Sequence, residues 1–213
     1  MTQQPDVPRR EVRDPSVLRA LSHPLRLSLL EQLATVGQAT ATELAERVDE
    51  SPANCSWHLR QLAKHGLIEE AEGGTGRQRP WRWINQSLGV ANPTGDDPPE
   101  FTHAREALLD VLTSREVAAF QTWRATESLA PQEWSDASFA NQSLHWMTVE
   151  ELAAFKADLN KVIERHIMDR LDRADPERRP ADSRPVRFVA WSFPAVPPQE
   201  LPRTVSLTPE EEQ

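Results

Sequence analysis

The sequence predicts a mainly helical α+β fold in two units, and three observations carry that reading. Between residues 14 and 66, apolar residues recur at helical spacing behind proline or hydroxyl starts. A glycine-rich tip at residues 73–76 separates two strand-like runs, and residues 86–100 gather Gly, Pro, Asn and Asp without periodicity. The 213 residues, 38% hydrophobic and 27% charged, suffice for one large or two small packed domains.

Each element follows from local chemistry. Residues 1–13 are polar with two prolines and are expected to be disordered. Asp14-Pro15-Ser16 opens a short helix carrying Val17, Leu18 and Leu21. A second begins at Ser22-His23-Pro24, with Ser22 as the expected cap, and its Leu25, Leu29, Leu30 and Leu33 recur at helical spacing until Gly37. Thr40 and Glu43 form a capping box for a third helix over about Ala41–Val48, with Leu44 and Val48 inward. Ser51 caps a fourth, started by Pro52 and ended by a left-handed Gly66. A hairpin over residues 69–84 returns through Trp81-Arg82-Trp83. Residues 14–85 thus form a first domain, and 86–100 read as a linker.

The second unit, residues 101–193, is expected to combine helices with a smaller sheet. A long helix over about Thr102–Leu129 carries a wide apolar stripe suited to pairing two chains. Residues 137–146 look strand-like. Thr148 to Glu151 form another capping box, opening a helix with Leu152, Phe155, Leu159, Val162, Ile163, Ile167 and Leu171. Residues 174–185 read as a charged loop, 186–193 as a strand, and the Pro-rich 194–213 as a mobile tail. Trp123, Trp134, Trp146 and Trp191, with six Phe from Phe101 to Phe193, either fill a core and dimer interface, the favoured reading, or line a pocket for a small organic effector.

Composition narrows the function. No run of eighteen apolar residues and no signal-peptide centre occurs, so a cytoplasmic chain without membrane contact is expected. Cys55, the single cysteine, excludes an internal disulfide framework and an all-thiolate metal centre. The net charge of −9 lies wholly in residues 86–213, while residues 1–85 balance 11 basic against 11 acidic groups. An acidic second half beside a neutral first half leaves DNA open, because the field that matters is local. Gly-rich phosphate loops, nucleophile elbows, metal helices and an exposed cysteine nucleophile are all missing, so no enzyme, cofactor or metal is expected.

Three short helices, the last two joined by a tight turn and followed by a hairpin, is the order of a winged helix-turn-helix. With Cys55 at zero and 100° per residue, Leu59 falls at about 40° and Leu62 at about 340°, which makes a buried edge. Arg60, Lys64, Trp57, Gln61 and Asn54 occupy the opposite arc, between about 140° and 260°, and no carboxylate lies among them. Asn or Gln can bond adenine bidentately and Arg can bond guanine in the major groove. Ser56 near the helix start can reach a phosphate or base edge, and the hairpin adds Arg77, Arg79 and Arg82. Such a face suits double-stranded DNA, although winged helices also serve as protein-interaction modules. Over Ser51–Ile84 the balance of 5 basic against 3 acidic groups is only slightly positive, so two copies are expected to be needed for useful affinity.

The runs LRALSHPLRLSLLEQL, TATELAERV, SPANCSWHLRQLAKHGLI and GTGRQRPWRW closely resemble the ArsR-type bacterial transcriptional regulators, over about residues 15–85. The resemblance includes the Ser-x-His-Leu segment Ser56-Trp57-His58-Leu59. It implies that Ser56, Trp57, His58 and Arg60 lie in the DNA-reading segment, and that the protein is a homodimeric repressor released by a signal. Metal-sensing members commonly carry a cysteine pair in the third helix; residues 40–49 hold neither Cys nor His, so that site is absent. Cys55 is expected as a core thiol rather than a redox sensor. Trp57 has two readings, contact with a thymine methyl or sugar, and support for the wing. His23 is expected to cap or pack at the helix junction, and His58 to touch phosphate. His166 and Asp169 could reach one metal, but a core or edge histidine is the commoner case.

Overall fold

The computed structural model describes residues 10–73, 79–84, 88–167, 170, 173 and 175–195. Helices α1 (Pro15–Leu21), α2 (Pro24–Val36), α3 (Ala41–Val48) and α4 (Pro52–Lys64) enclose one core with Leu18, Leu29, Leu33, Leu44, Cys55, Leu59 and Leu62 at its centre. Strands β2 (Gln38–Ala39), β3 (Ile68–Glu70) and β4 (Trp81–Trp83) form an antiparallel sheet in the order β2-β4-β3. In this sheet Ile68 faces Trp83 and Glu69 faces Arg82, and Trp81 and Trp83 pack against the helical core. The winged helix-turn-helix order is therefore present. The hairpin tip, residues 74–78, lies outside the described residues.

The helix starts follow the chemistry of their first residues. Thr40 and Glu43 form the reciprocal box, Ser51 Oγ accepts from Asn54 N–H at 3.2 Å, and Gly66 ends α4's turn at φ 66°. One cap differs from expectation. Ser22 closes α1, donating its hydroxyl to Leu18 O at 2.7 Å, and His23 caps α2, its Nδ1 accepting from Leu25 N–H at 3.2 Å. Arg26 then donates to the Arg19 and Ala20 carbonyls at the end of α1, satisfying acceptors that a terminating helix leaves free.

The terminal and linker expectations need correction. Residues 10–12 are a strand, β1 (Arg10–Val12), which pairs in parallel with β5 (Leu88–Val90) inside the expected linker. Arg13 holds both segments: it donates to Asp97 at 3.0 and 3.2 Å and to Asn92 O at 3.2 Å, and lies 5.7 Å from the Phe101 ring centre. Arg105 donates to Ala91 O at 3.0 Å. Helix α5 (Pro99–Thr126) thus begins within the first unit, where Phe101, Ala104 and Leu108 belong to the core. Composition marked a loop, but Val12, Ala91 and Phe101 needed the same apolar interior.

Beyond α5 come α6 (Gln132–Ala137) and α7 (Val149–His166), the latter opened by its capping box at Thr148. The strands expected over 137–146 and 186–193 do not form; among the described residues none follows β5. Alternation alone makes no strand where no neighbour supplies a ladder. Apart from Phe101, the aromatics of this half do not fill a core within one chain: Phe139 is 74% exposed, Trp146 90% and Phe193 74%, and α7 buries no residue. Residues 176–187 return across α2, where Arg187 pairs with Glu31 and Glu116, and Arg179 donates to the Thr35 and Ala34 carbonyls.

Candidate nucleic-acid interface

The sequence of α4 places its buried edge and its free face as the helical wheel requires. Cys55, Leu59 and Leu62 are fully buried, while Trp57, at 49%, Arg60 and Lys64 are exposed on the other side. Asn54, Ser56 and Gln61 are half-buried at the margins of that face. Proline at the first position of α4 costs no hydrogen bond, since that amide would lack an intrahelical partner anyway.

In the free protein these groups satisfy one another. Arg60 Nη1 donates to Ser56 Oγ at 2.7 Å, one turn back, which lays the guanidinium along the helix. Asn54 Nδ2 donates to the Glu50 carboxylate at 3.0 Å. On the wing, Arg79 pairs with Glu70 at 2.8 Å and Arg82 with Glu69 at 2.8 Å across β3 and β4. These ion pairs are exposed and individually weak, so a phosphate can displace them. Arg77 lies outside the described residues.

One expected contact residue is corrected. His58 is only 5% exposed and packs against His23, with ring centres 4.4 Å apart, so in this conformation it does not reach a phosphate. Its wheel position adjoins Leu62 rather than Arg60, and the Ser-x-His-Leu motif concealed that difference. Burial pushes the imidazoles of both His58 and His23 below the ordinary histidine value, with further lowering of both by Arg26. The Cys55 thiol, buried within the core, is pushed up by desolvation.

A groove of about 520 Å³ runs between the starts of α3 and α4 and the wing, lined by Thr40, Thr42, Ala53, Ser56, Arg60 and Arg79 among others. Ser51 Oγ occupies the Asn54 amide and Pro52 has none, so among the described residues Ala53 N–H is left without a protein acceptor. Thr42 N–H at the start of α3 likewise has no acceptor among the described residues. Thr42 and Ala53, whose first-turn amides lack acceptors, line this groove with Arg60 and Arg79, and with Glu70, which pairs with Arg79; such amides favour an anion. The sequence already points to first-turn backbone amides of α4 as groups that favour phosphate; it singles out neither Ala53 nor Thr42, whose contribution is backbone, although the cap-proline pattern indicates which amide stays free.

A helix-turn-helix domain model matches residues 21–71, from the end of α1 to the wing's first strand. Residues 21–71 therefore form a helix-turn-helix domain. Such domains are DNA-binding units of transcriptional regulators, and the match supports a DNA-binding transcriptional regulator. The crystal structure of the AntR antimony-specific transcriptional repressor is similar at 23% identity, covering 55% of this chain and 97% of that one, with a TM-score of 0.31. No curated protein matches the chain. Among the described residues, no helix is long and apolar enough to cross a membrane, and no group of three or more His, Cys, Asp or Glu could hold a metal ion.

Proposed function

We propose that the protein is a dimeric transcriptional repressor that reads an inverted-repeat operator through α4 and the wing. The observation that carries this reading is the free face of α4: Trp57, Arg60 and Lys64 exposed, Asn54, Ser56 and Gln61 beside them, and no carboxylate within the helix. Such a face can enter a major groove while the Ala53 and Thr42 amides, Arg79 and Arg82 take phosphates. Dimerisation is supported by the unpartnered apolar surface of α5 beyond its buried root, where Val117 and Phe120 are exposed, and of α7. Two α4 helices related by a twofold axis address half-sites about 34 Å apart. The test is selection of bound genomic fragments, followed by binding measurements across salt. A recovered inverted repeat, affinity that falls steeply with salt and a loss on Arg60→Ala support the reading. Partner-protein binding with no sequence preference would favour an interaction module instead.

A second reading, release by a small organic effector, draws on a different cavity from the C-terminal aromatics first considered. An apolar groove of about 250 Å³ lies between α2, β4, β5 and α5, lined by Leu27, Leu30, Trp83, Val90, Leu108 and Leu112. Filling the groove with Leu112→Trp is expected to abolish release while leaving operator affinity unchanged.

A further inference from the structure

Beneath the exposed face of α4 lies a pair of imidazoles that DNA reading does not use. His58 follows Trp57 on α4 and meets it in a T-shaped contact, ring centres 4.7 Å apart at 87°. On its other contact His58 stands 4.4 Å from His23, tilted by 45°. His23 is the cap of α2, and its Nδ1 can accept from Leu25 N–H only while that nitrogen carries no proton. His58 Nδ1 is buried with no partner among the described residues. Contacts therefore run unbroken from the first turn of α2, through two rings, to Trp57 on the exposed face of α4.

The charged surroundings disfavour a proton on either ring. From α2 comes Arg26, whose guanidinium is held by the Arg19 and Ala20 carbonyls of α1. From the turn between α3 and α4 comes Glu50, the one acidic group among the described residues that acts on His58, and its carboxylate is engaged by Asn54. A proton on His23 Nδ1 would remove the α2 cap and set a cation against His58 and Arg26 in a largely dry contact. A proton on His58 would place a charge in the α2–α4 packing layer, where no carboxylate bonds it.

We propose that the neutral His23–His58 pair is a proton-sensitive support that positions Trp57 and the start of α4 for DNA, so that mild acid releases the reading helix. The inference rests on α4 being the DNA-reading element. Both histidines act as positioning residues. The expected sign is diagnostic, because protonating exposed histidines adds positive charge and by itself tightens binding to DNA.

The test uses the full chain and its selected operator, with affinity compared at about pH 7.5 and about pH 5.5. Parent protein is expected to lose affinity several-fold in acid, because the His23–His58 pair takes up a proton more readily once its ring contact is broken than while it is packed. His23→Asn, which keeps a side-chain acceptor for Leu25 N–H but cannot titrate, is expected to bind normally near neutrality and to lose at most about threefold in acid. Affinity that holds or rises in acid, or an undiminished acid loss in His23→Asn, overturns the proposal. A second measurement needs no DNA: the His58 ring proton and the Trp57 indole signal, followed by NMR, are expected to titrate with one midpoint below the ordinary histidine value. A Trp57 signal indifferent to that midpoint, or loss of far-UV helicity across the same range, overturns it too. Failure to bind any DNA at any pH defeats the reading of α4, while the NMR arm still decides the histidine pair.

Discussion

Replacing Phe101 by alanine tests whether the first turns of α5 belong to the DNA-binding unit. The ring is 1% exposed, packs with Ala104 and Leu108 into the same core as Leu18 and Leu29, and carries the Arg13 guanidinium on its face. Truncation removes the transfer free energy of a buried aromatic and leaves a cavity that the surrounding helices close only in part. The expected loss is about 3–5 kcal/mol, out of a total stability of roughly 5–15 kcal/mol for an ordinary domain. Urea unfolding followed through the wing tryptophans reads it, because Trp81 and Trp83 pack against that core. A drop under about 1 kcal/mol would refute the assignment of α5 to this core, since peripheral contacts cost no more than that. The same logic predicts that a fragment ending at Ile84, which lacks β5, Phe101 and Leu108, fails to fold cooperatively.

Asn54→Ala is expected to relax base preference at one operator position by about 1–3 kcal/mol, measured by binding to single-base variants. Arg79→Ala should weaken all sequences alike and lower the salt slope by about one; Glu70→Gln, which frees Arg79 from its 2.8 Å partner, should tighten them alike. The Glu43 carboxyl is held below its ordinary value by the Thr40 backbone N–H first and the Thr40 hydroxyl second. A depressed carboxylate contributes stability above its unfolded value of 4.5 and loses it as pH falls through the folded one, so Glu43→Gln should flatten acid unfolding below about pH 4.5. The buried Cys55 thiol, pushed up by desolvation, should react with a thiol reagent only at the rate of unfolding.

What the sequence made legible was local. The caps at Thr40, Ser51 and Thr148 and the left-handed Gly66 each depend on a few neighbouring atoms, and each stands where its residue type placed it. The two faces of α4 follow from a fixed angular repeat, so Cys55 and Leu59 inward and Arg60 outward were readable. Pairing at a distance was not. Residues 88–90 are a strand only because Arg10–Val12 lies beside them, and residues 186–193 are not one because nothing does. His58 is instructive in the same way: the helical period left it at the boundary between faces, and the ring of His23, 35 residues earlier in the chain, decided the side.

Helix α5 has a mechanical consequence. Its 28 residues make a rod about 42 Å long, clamped at its root by Phe101 and the Arg13–Asp97 pair and continuous to its far end. Levers of that length amplify: a 10° rocking at the clamp sweeps the tip through about 7 Å, a fifth of one turn of the duplex. In the proposed dimer, whatever grips the distal half of this rod would therefore set the separation of two reading heads, and a nudge delivered there would travel back to the heads as a change of span.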